Sequence, residues 1–473
     1  MRVNPRRASA GSRTRLRPKG KNGGPDAKIL FTLIILLLAA TWGPGTDGAL
    51  GAETPPNTTL KEAETVTGPV NYDRAVRLAL VRSPFFTRSS LEIQVKRLDE
   101  TDSKFDMAPS ITFRTQYYVN RPETIYGTSN KPYTLSFSSS NYNPLEAYFS
   151  LQAKKLFTQI AILAHMHAIN QGIAKLGNMF LEMDSLGQAA TRQETLISLT
   201  RKNLEYSQKR LSIGTGTSLE LRVAKRELAA AQAEKDRIAA SRNRLQARIK
   251  ALIGLKTDQP LELDYKDARR QVMGNFDPAA ATVEQACNRS YLLKIAELKK
   301  QLQEYNIMLA KARLLPSVFM GAATPDPLSG LTSRQLFFSL GLQVPVWDGF
   351  QRVRNISRQK IVLRQYGADK DQKTLEVSDK WFEAQENLRV ADVNLKAALD
   401  LEELARLKER QGDIRYHSGG EPLSVYLEGR KNLADAQRNT LQKNLDYNLA
   451  LLGLRNLSGD LGASYVDEKS WQQ

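Results

Sequence analysis

The feature that most constrains the fold of this chain is that landmarks of its first half recur, in the same order, in its second half. One set keeps an ungapped offset of 205 residues: Arg210, Gly214, Leu228, Ala231 and Gln232 recur as Arg415, Gly419, Leu433, Ala436 and Gln437. Another set keeps offsets of 207 or 201 residues: Lys104, Pro109 and Ser110 recur as Lys311, Pro316 and Ser317, and Pro144 recurs as Pro345. A period of about 200 residues is too long for a solenoid repeat, so it indicates a duplicated half-molecule. Such pseudo-symmetry favours a protein that forms a wall, ring or tube over an enzyme with a single active-site pocket.

The N-terminus has the pattern of a targeting signal. Residues 1–28 hold nine Lys or Arg and one acidic residue, and residues 29–40 are mostly apolar. A basic region, a short apolar core and small residues before a cut site describe a secretory signal peptide, which we assign to residues 1–52. The alternative is a single membrane anchor, but a span needs about 20 apolar residues. Residues 53–70 are predicted to form an extended linker.

The chain is basic, with a formal net charge of +18, of which +11 remains beyond residue 52. A basic protein can bind nucleic acid. Here, however, the Lys and Arg residues are spread through helical stretches rich in Glu, Asp and Gln, and the signal peptide indicates export. We therefore interpret them mainly as solvated helix faces and expect no nucleic-acid partner.

No motif in the sequence predicts catalysis. The single cysteine, Cys287, cannot form an internal disulfide and is expected to be a small buried residue. His165 and His167 are two residues apart, so they face different sides of a helix and do not predict a metal site. Gly-x-Ser-x-Gly, His-Glu-x-x-His, phosphate-loop and paired-Cys motifs are absent from the sequence. We expect no catalytic residue, no metal, no cofactor and no enzymatic activity.

Two segments in each half alternate apolar and polar residues with the period of a β-strand. These predicted strands cover residues 110–119 and 133–143 in the first half and residues 317–322 and 336–344 in the second. The prolines at the predicted helix–strand junctions are Pro109, Pro144, Pro316 and Pro345.

Each strand pair is followed by a very long helix, a tight turn and a second long helix. The turns are predicted near residues 212–217 and 412–421, and Pro422 is expected in the first turn of the last helix. A helix of roughly 60 residues spans about 90 Å. The predicted domains are a first repeat at residues 71–265, a linker at 266–281, a second repeat at 282–459 and a C-terminal tail at 460–473.

Four such strands leave open edges and one apolar face that nothing in the sequence covers. Alternating apolar and polar residues are typical of a barrel strand that faces lipid on one side and a lumen on the other. Because the smallest such barrels have about eight strands, several chains must contribute to one barrel. The alternative is a soluble α+β protein with a sheet packed on helices, which leaves the long helices and the signal peptide unexplained.

The chain resembles the TolC-like outer-membrane efflux protein family over about residues 71–459. The resemblance rests on Lys104 to Ser110 and Lys311 to Ser317, on Val344-Pro-Val-Trp-Asp-Gly349, and on the two turns with the Leu-x-x-Ala-Gln motifs that follow them. It implies a mainly α fold with a membrane β-barrel contribution: a homotrimer whose 12-stranded barrel in the outer membrane continues into a periplasmic α-helical tunnel. It also implies a periplasmic adaptor protein and an inner-membrane pump as partners.

In this interpretation the two interhelical turns form the periplasmic tip. Residues that we expect to shape the turns or dock an adaptor are Arg210, Gly214, Gly216, Arg415, Tyr416, Gly419 and Gly420. The glycines permit the backbone conformations of tight turns. The alternative role for the arginines is ordinary stabilisation of a helix C-terminus.

The resemblance also implies a constriction at the tip. An acidic residue five positions before the second Leu-x-x-Ala motif corresponds to Glu428, and Glu220 lies near the equivalent turn of the first half. Three copies would form an acidic ring that selects cations; the alternative is a solvated surface Glu. Arg114 and Gln116 are expected to face the barrel lumen, and Phe113, Tyr117, Phe137, Phe338 and Leu340 to face lipid.

The functional prediction is a passive exit duct of a tripartite efflux or type I secretion system. The competing prediction is a periplasmic coiled-coil scaffold or adhesin that binds without conducting. The sequence does not specify the transported substrate.

Overall fold

The computed structural model describes residues 68–117, 133–256, 258–324, 337–463 and 465. The predicted signal peptide and most of the predicted linker at 53–70 lie outside these residues. So do most of the predicted tail at 460–473 and residues 118–132 and 325–336 between the paired strands.

The described chain is mainly helical and contains one four-stranded sheet. Each half follows the same order, namely a short helix, a longer helix, two strands, a very long helix and a long helix. The first half comprises α1 (Tyr72–Arg82), α2 (Pro84–Phe105), β1 (Ile111–Tyr117), β2 (Tyr133–Ser139), α3 (Pro144–Ser212) and α4 (Ser218–Ile253). After α5 (Ala268–Met273), the second half comprises α6 (Val283–Arg289), α7 (Tyr291–Ala312), β3 (Ser317–Ala323), β4 (Phe337–Gln343), α8 (Gln351–His417) and α9 (Leu423–Leu457), and α10 (Asp460–Ala463) follows.

The strand bounds differ from the predicted ones mainly at the end of the sheet nearest the helices. Strand β2 ends at Ser139 rather than at residue 143, because the side chain of Asn143 already caps α3 there. Tyr142 still forms an isolated antiparallel bridge with Val318. Strand β3 extends one residue beyond the prediction, to Ala323.

Helix α8 is longer than the sequence suggested, and this is the largest correction to the predicted elements. The turn was expected from Gly412, yet α8 continues to His417 and Gly412 lies within it. Glycine inside a helix costs only about 1 kcal/mol relative to alanine, which the surrounding helical residues offset. The left-handed residue that turns the chain is Gly419, with φ of 78°. Pro422 is the N-cap of α9 rather than a residue of its first turn.

Two segments predicted to be irregular contain short helices. The predicted linker at 266–281 holds α5, and the predicted tail holds α10. Helix α5 buries Val272 and Met273 against the main core, which explains why a segment with few periodic residues is helical.

The main core lies midway along α3, where α1, α4, α5 and the C-terminal part of α9 pack around it. Its fully buried side chains include Tyr72, Phe180 and Leu452, and the Tyr72 and Phe180 rings meet edge to face at 5.7 Å. Gly177 permits the close approach of α9 to α3, because a Cβ there would lie 2.9 Å from Leu452 Cδ2. The core therefore fixes α3 against α9 far from both the sheet and the turns.

Candidate channel wall and tip

The sheet is entirely antiparallel, in the order β1-β2-β3-β4, and its register sorts the side chains onto two chemically different faces. On one face Phe113 lies opposite Phe137, with ring centroids 4.8 Å apart. The same face carries Met320 opposite Leu340 and Ala322 opposite Phe338. Phe338 is 83% exposed, so this apolar face has no cover within the described chain.

The other face is polar and nearly uncharged. Arg114 lies opposite Ser136, Gln116 opposite Thr134, and Gly321 opposite Ser339. Among the described strand residues, Arg114 is the one charged side chain. Both residues expected to face the lumen, Arg114 and Gln116, thus lie on the polar face.

Phe319 is an exception on the polar face that the alternation did not reveal. It lies opposite Gly341, and a Cβ at Gly341 would come within 2.1 Å of the Phe319 ring. The glycine therefore makes room for the aromatic ring.

The outer edges of β1 and β4 pair with no further strand in the part of the chain that the structure describes. Unpaired edges beside an exposed apolar face are a liability for an isolated chain. The sheet therefore has the properties of a fragment of a larger one.

The junction prolines occupy three different local positions. Pro109 and Pro316 each stand just before a strand, whereas Pro144 is the first residue of α3. Pro345, its predicted counterpart, lies in an irregular connector before α8 instead. The reason is a difference in capping, because Asn143 Oδ1 accepts from the Leu145 and Glu146 amides and starts α3 at once.

Helix α8 begins after a longer return. Asp348 Oδ2 accepts from the Arg352 amide at 3.1 Å, after two left-handed residues, Gly349 and Phe350. The first half has no counterpart of Asp348 and Gly349 between its second strand and α3, because Asn143 caps α3 directly. Asn143 also donates to the Ala312 carbonyl at 2.8 Å, which joins the start of α3 to the end of α7.

In the first turn, Arg210 organises the chain reversal through both backbone and side chain. Its carbonyl accepts from the amides of Thr215 and Gly216 at 2.9 Å. Its guanidinium donates to the Thr215 carbonyl at 2.8 Å and lies 3.3 Å from the Glu220 carboxylate. Gly216 is required by space, because a Cβ there would lie 2.9 Å from the Arg210 Cβ, and Gly214 has φ of 76°.

In the second turn, Arg415 has the equivalent place. Its carbonyl accepts from the Gly420 amide at 2.8 Å, and its guanidinium contacts Glu421 at 3.1 Å. Tyr416 stacks on Tyr426 with ring centroids 5.0 Å apart. Sequence reasoning missed Glu421 and Tyr426, although a glutamate that follows the glycines of each turn could have suggested an ion pair with the turn arginine.

The two hairpins meet near the tip around a groove of about 420 Å³, lined by both Glu220 and Glu428. Lys431 bridges the hairpins by an ion pair of 2.7 Å with Glu227. Glu220 is paired with Arg210, whereas Glu428 is exposed and no ion pair with it occurs within the described residues. The two predicted constriction residues are thus brought together, but they differ in electrostatic environment.

Helix α8 has apolar residues on two opposite faces. One face buries Val377, Trp381, Ala391 and Ala398. The other exposes large apolar side chains at intervals of three, seven or eight residues, the spacing of one helix face. This α8 stripe comprises Leu375, Phe382, Val390, Val393, Leu401, Leu404, Leu407 and Ile414. Helix α3, by contrast, packs against α2, α4, α7 and α9.

The cysteine and the two neighbouring histidines have structural surroundings. Cys287 is half-buried rather than buried, with Sγ 3.9 Å from Ser378 Oγ. His165 contacts Ser89 and His167 contacts Gln171, so the two imidazoles face different partners. Within the described residues there is no group of side chains that could hold a metal ion. In the same residues, every helix is too short or too polar to cross a bilayer.

Comparison with known proteins agrees with this geometry. Residues 282–460, which contain the second half, match the model of the family described as outer membrane efflux protein. No curated protein matches the chain significantly.

Three solved structures illustrate the similarity of fold. The outer-membrane channel OprN has a TM-score of 0.66 at 15% identity, over 82% of this chain and 89% of its own. The outer membrane protein VceC of Vibrio cholerae has a TM-score of 0.68 at 14% identity, over 82% of this chain and 96% of its own. The CmeC outer membrane channel of Campylobacter jejuni has a TM-score of 0.67 at 12% identity, over 84% of this chain and 87% of its own.

A two-faced four-stranded sheet joined to two very long helical hairpins is the fold that this chain shares with these outer-membrane proteins. The second half of the chain, over residues 282–460, matches the outer membrane efflux protein family model. The predicted resemblance is therefore confirmed. The solved proteins that share its fold are outer-membrane proteins.

Proposed function

We propose that three copies of this chain form the exit duct of a tripartite efflux or type I secretion system, through which substrates pass passively to the exterior. The observation that carries this proposal is the four-stranded sheet with one apolar face, one polar face and two open edges. Closed membrane barrels need about eight strands or more, so one copy with four strands cannot close a barrel. The resemblance to the efflux family implies three copies, which together give 12 strands. The apolar face then meets lipid, and Arg114 and Gln116 line the lumen.

The α8 stripe supports association between copies of the chain. Exposed leucine, valine and phenylalanine side chains along a helix of 67 residues would be covered by a neighbouring copy. At 1.5 Å per residue, α8 spans about 100 Å, a length suited to a tunnel that crosses much of the periplasm. The similar order of elements in the two halves would place six pairs of long helices around the trimer wall, as expected for a duplicated half-molecule.

The tip is proposed to dock a periplasmic adaptor, which links the duct to an inner-membrane pump. Ile213 and Leu219 are exposed at the first turn, and Val425 is exposed at the second. These apolar side chains lie beside Arg210 and Arg415, so the tip offers apolar contacts and hydrogen-bond donors. The energy for transport comes from the pump, and the duct contributes no chemistry.

Glu428 is proposed to supply the charge of the tip constriction. Its carboxylate is exposed on the groove that joins the two hairpins, whereas that of Glu220 is compensated by Arg210. A ring of three Glu428 carboxylates would favour cations. Glu220 would then mainly stabilise the first turn through its ion pair with Arg210.

Conductance of the detergent-extracted protein in a planar bilayer tests this proposal. We expect discrete cation-selective openings, with lower cation selectivity in Glu428→Gln. Glu386→Gln removes the same charge from an exposed part of α8 and should leave selectivity unchanged. Glu220→Gln should instead increase open probability, since it breaks the contact with Arg210.

A tip that is closed in the isolated protein would also give no conductance. The double variant Arg210→Ser and Arg415→Ser tests this case, because it removes both ion pairs that hold the turns. Folded, membrane-inserted protein that stays silent even in this variant would contradict a duct and favour the non-conducting scaffold. Unchanged selectivity in Glu428→Gln would retain the duct and reject the acidic ring.

A further inference from the structure

The connector between β4 and α8 exposes four large apolar side chains, Val344, Val346, Trp347 and Phe350, which we call the connector patch. Val346 is 89% exposed and Trp347 is 76% exposed. The rings of Trp347 and Phe350 meet edge to face, with centroids 5.1 Å apart. Clustered exposed apolar side chains of this kind mark a contact with a membrane or another protein.

The connector patch continues the apolar face of the sheet. Phe338, Leu340 and Leu342 alternate along β4 on that face, and Val344 and Val346 follow at the same two-residue interval. The patch lies at the end of the sheet from which the long helices extend. If the sheet lies in the membrane, the patch lies where the apolar band ends and the polar headgroups begin.

The backbone of the connector also indicates a specific role for the Phe350 ring. Phe350 has φ of 61°, a left-handed conformation that is unfavourable for any residue with a Cβ. Gly349 before it has φ of 62°, and Asp348 caps the helix that follows. A glycine at 350 would avoid the strain but would lack the ring that contacts Trp347.

Positive charge lies immediately beside the patch. Arg354 Nη1 donates to the Gly349 carbonyl at 2.8 Å, which holds its guanidinium against the connector. Arg354 and Arg358 are both exposed and one helical turn apart, and the first turn of α8 contains no acidic residue. A guanidinium has five N–H donors, so Arg354 can bind a phosphate as well. Aromatic rings at the headgroup level with arginines just beyond them are typical of a membrane interface.

We propose that the connector patch and Arg354 bind acidic phospholipid in the leaflet that faces the periplasm. Trp347 and Phe350 lie at the level of the headgroups, and the guanidinium of Arg354 contacts a lipid phosphate. This inference rests on the proposed function, because it requires the apolar face of the sheet to lie in the membrane. Its occupant is the bilayer; the rival occupant, a second copy of this chain, is an outcome of the test below.

Fluorescence quenching by brominated phospholipids measures the position of Trp347. The full chain is reconstituted in vesicles whose lipids carry bromine at a shallow or a deep position of the acyl chain, and wild type is compared with Trp347→Phe. Because Trp347 is exposed, this variant is expected to fold. The other tryptophans of the chain, among them Trp381, which is buried about 45 Å along α8, are present in both proteins and cancel in the difference. We expect the difference signal to be quenched more strongly by shallow than by deep bromine.

The headgroup preference is measured with brominated phosphatidylglycerol and brominated phosphatidylcholine at the same mole fraction. We expect about two- to fivefold more effective quenching of Trp347 by the acidic lipid. Arg354→Gln should reduce this preference towards one. Arg389→Gln is the matched control, because it removes an arginine from the same helix about 50 Å away.

The outcomes separate this inference from the proposed function. A chain that does not co-float with the vesicles overturns both. A chain that inserts while Trp347 stays unquenched overturns this inference alone and assigns the patch to contact between copies. Equal quenching by the two lipids, or a preference that Arg354→Gln leaves intact, overturns the acidic-lipid assignment.

Discussion

Among single residues, His165 shows how burial sets the chemistry of the helical domain. It is 3% exposed on α3 where that helix packs against α2, with Nδ1 2.7 Å from Ser89 Oγ. Burial lowers the pKa of His165 to about 4, so the imidazole is neutral at pH 7. Its role is therefore that of a satisfied core residue rather than a ligand.

Acid is expected to destabilise the helical domain through His165. The unfolded imidazole has a pKa of about 6.5, so below that pH the unfolded chain binds a proton that the folded chain does not. Stability is then lost progressively as the pH falls from about 6.5 towards 4, by about 2 kcal/mol per chain between pH 7.5 and pH 5. His165→Gln keeps a polar partner for Ser89 and should reduce this loss, as measured by urea midpoints of the helical signal at the two pH values.

His417→Gln provides the control, because His417 lies exposed at the tip. The loss of stability that depends on His165 should persist in this variant. An unchanged pH dependence in His165→Gln would show that other groups cause the acid sensitivity.

At the scale of elements, the two connections from a strand to a very long helix begin that helix with different caps. Asn143 caps α3 with its own side chain and binds the Ala312 carbonyl at the same time. Asp348 caps α8 only after two left-handed residues have reoriented the chain. The shorter return fixes the helix tightly to its neighbour, and the longer one leaves the connector patch projecting outwards.

Asn143→Ala should loosen the start of α3. The substitution removes a cap worth about 1 kcal/mol and leaves the Ala312 carbonyl without its donor. Hydrogen exchange of the Leu145 and Glu146 amides should become about tenfold faster or more, since each 1.4 kcal/mol is a factor of about ten. Asn394→Ala, a substitution at an exposed position of α8 far from the cap, should not change these amides. Equal protection in Asn143→Ala would contradict the capping role.

Sequence reasoning located most elements because their periods of two and 3.6 residues are distinct over many residues. It failed at a glycine, because glycine occurs both in turns and inside helices. Gly412 looked like a turn residue but lies inside α8, and the real turn residue is Gly419. The contacts of the candidate site were harder to predict than its members. The pairing of Glu220 with Arg210 depends on the geometry of the turn between them, and Phe319 over Gly341 depends on the register of β3 against β4.

For the whole molecule, the two long helices that follow the strands have unequal surroundings. Helix α3 is enclosed by four helices, and α8 leaves the α8 stripe exposed. The asymmetry means that one chain does not bury its own apolar surface. Assembly of copies is therefore expected to contribute much of the stability of the helical wall.

Phe382→Glu should weaken that assembly, because it places a charge in the middle of the α8 stripe. Asn387→Glu adds the same charge to an exposed position about 140° around the helix, at about 100° per residue. Mass photometry of the detergent-extracted protein should show trimers for wild type and Asn387→Glu. It should show mainly single chains for Phe382→Glu at nanomolar concentration. Trimers of equal stability in both variants would place the interface elsewhere.

The open edges of β1 and β4 have a consequence for biogenesis. In the described part of a single chain, two strand edges and an apolar sheet face are open and would bind indiscriminately to other extended chains in water. Neither hazard can be removed by folding of one chain alone. In the proposed duct, membrane insertion would cover the apolar face and association of copies would pair the edges, so the two steps together would remove both hazards.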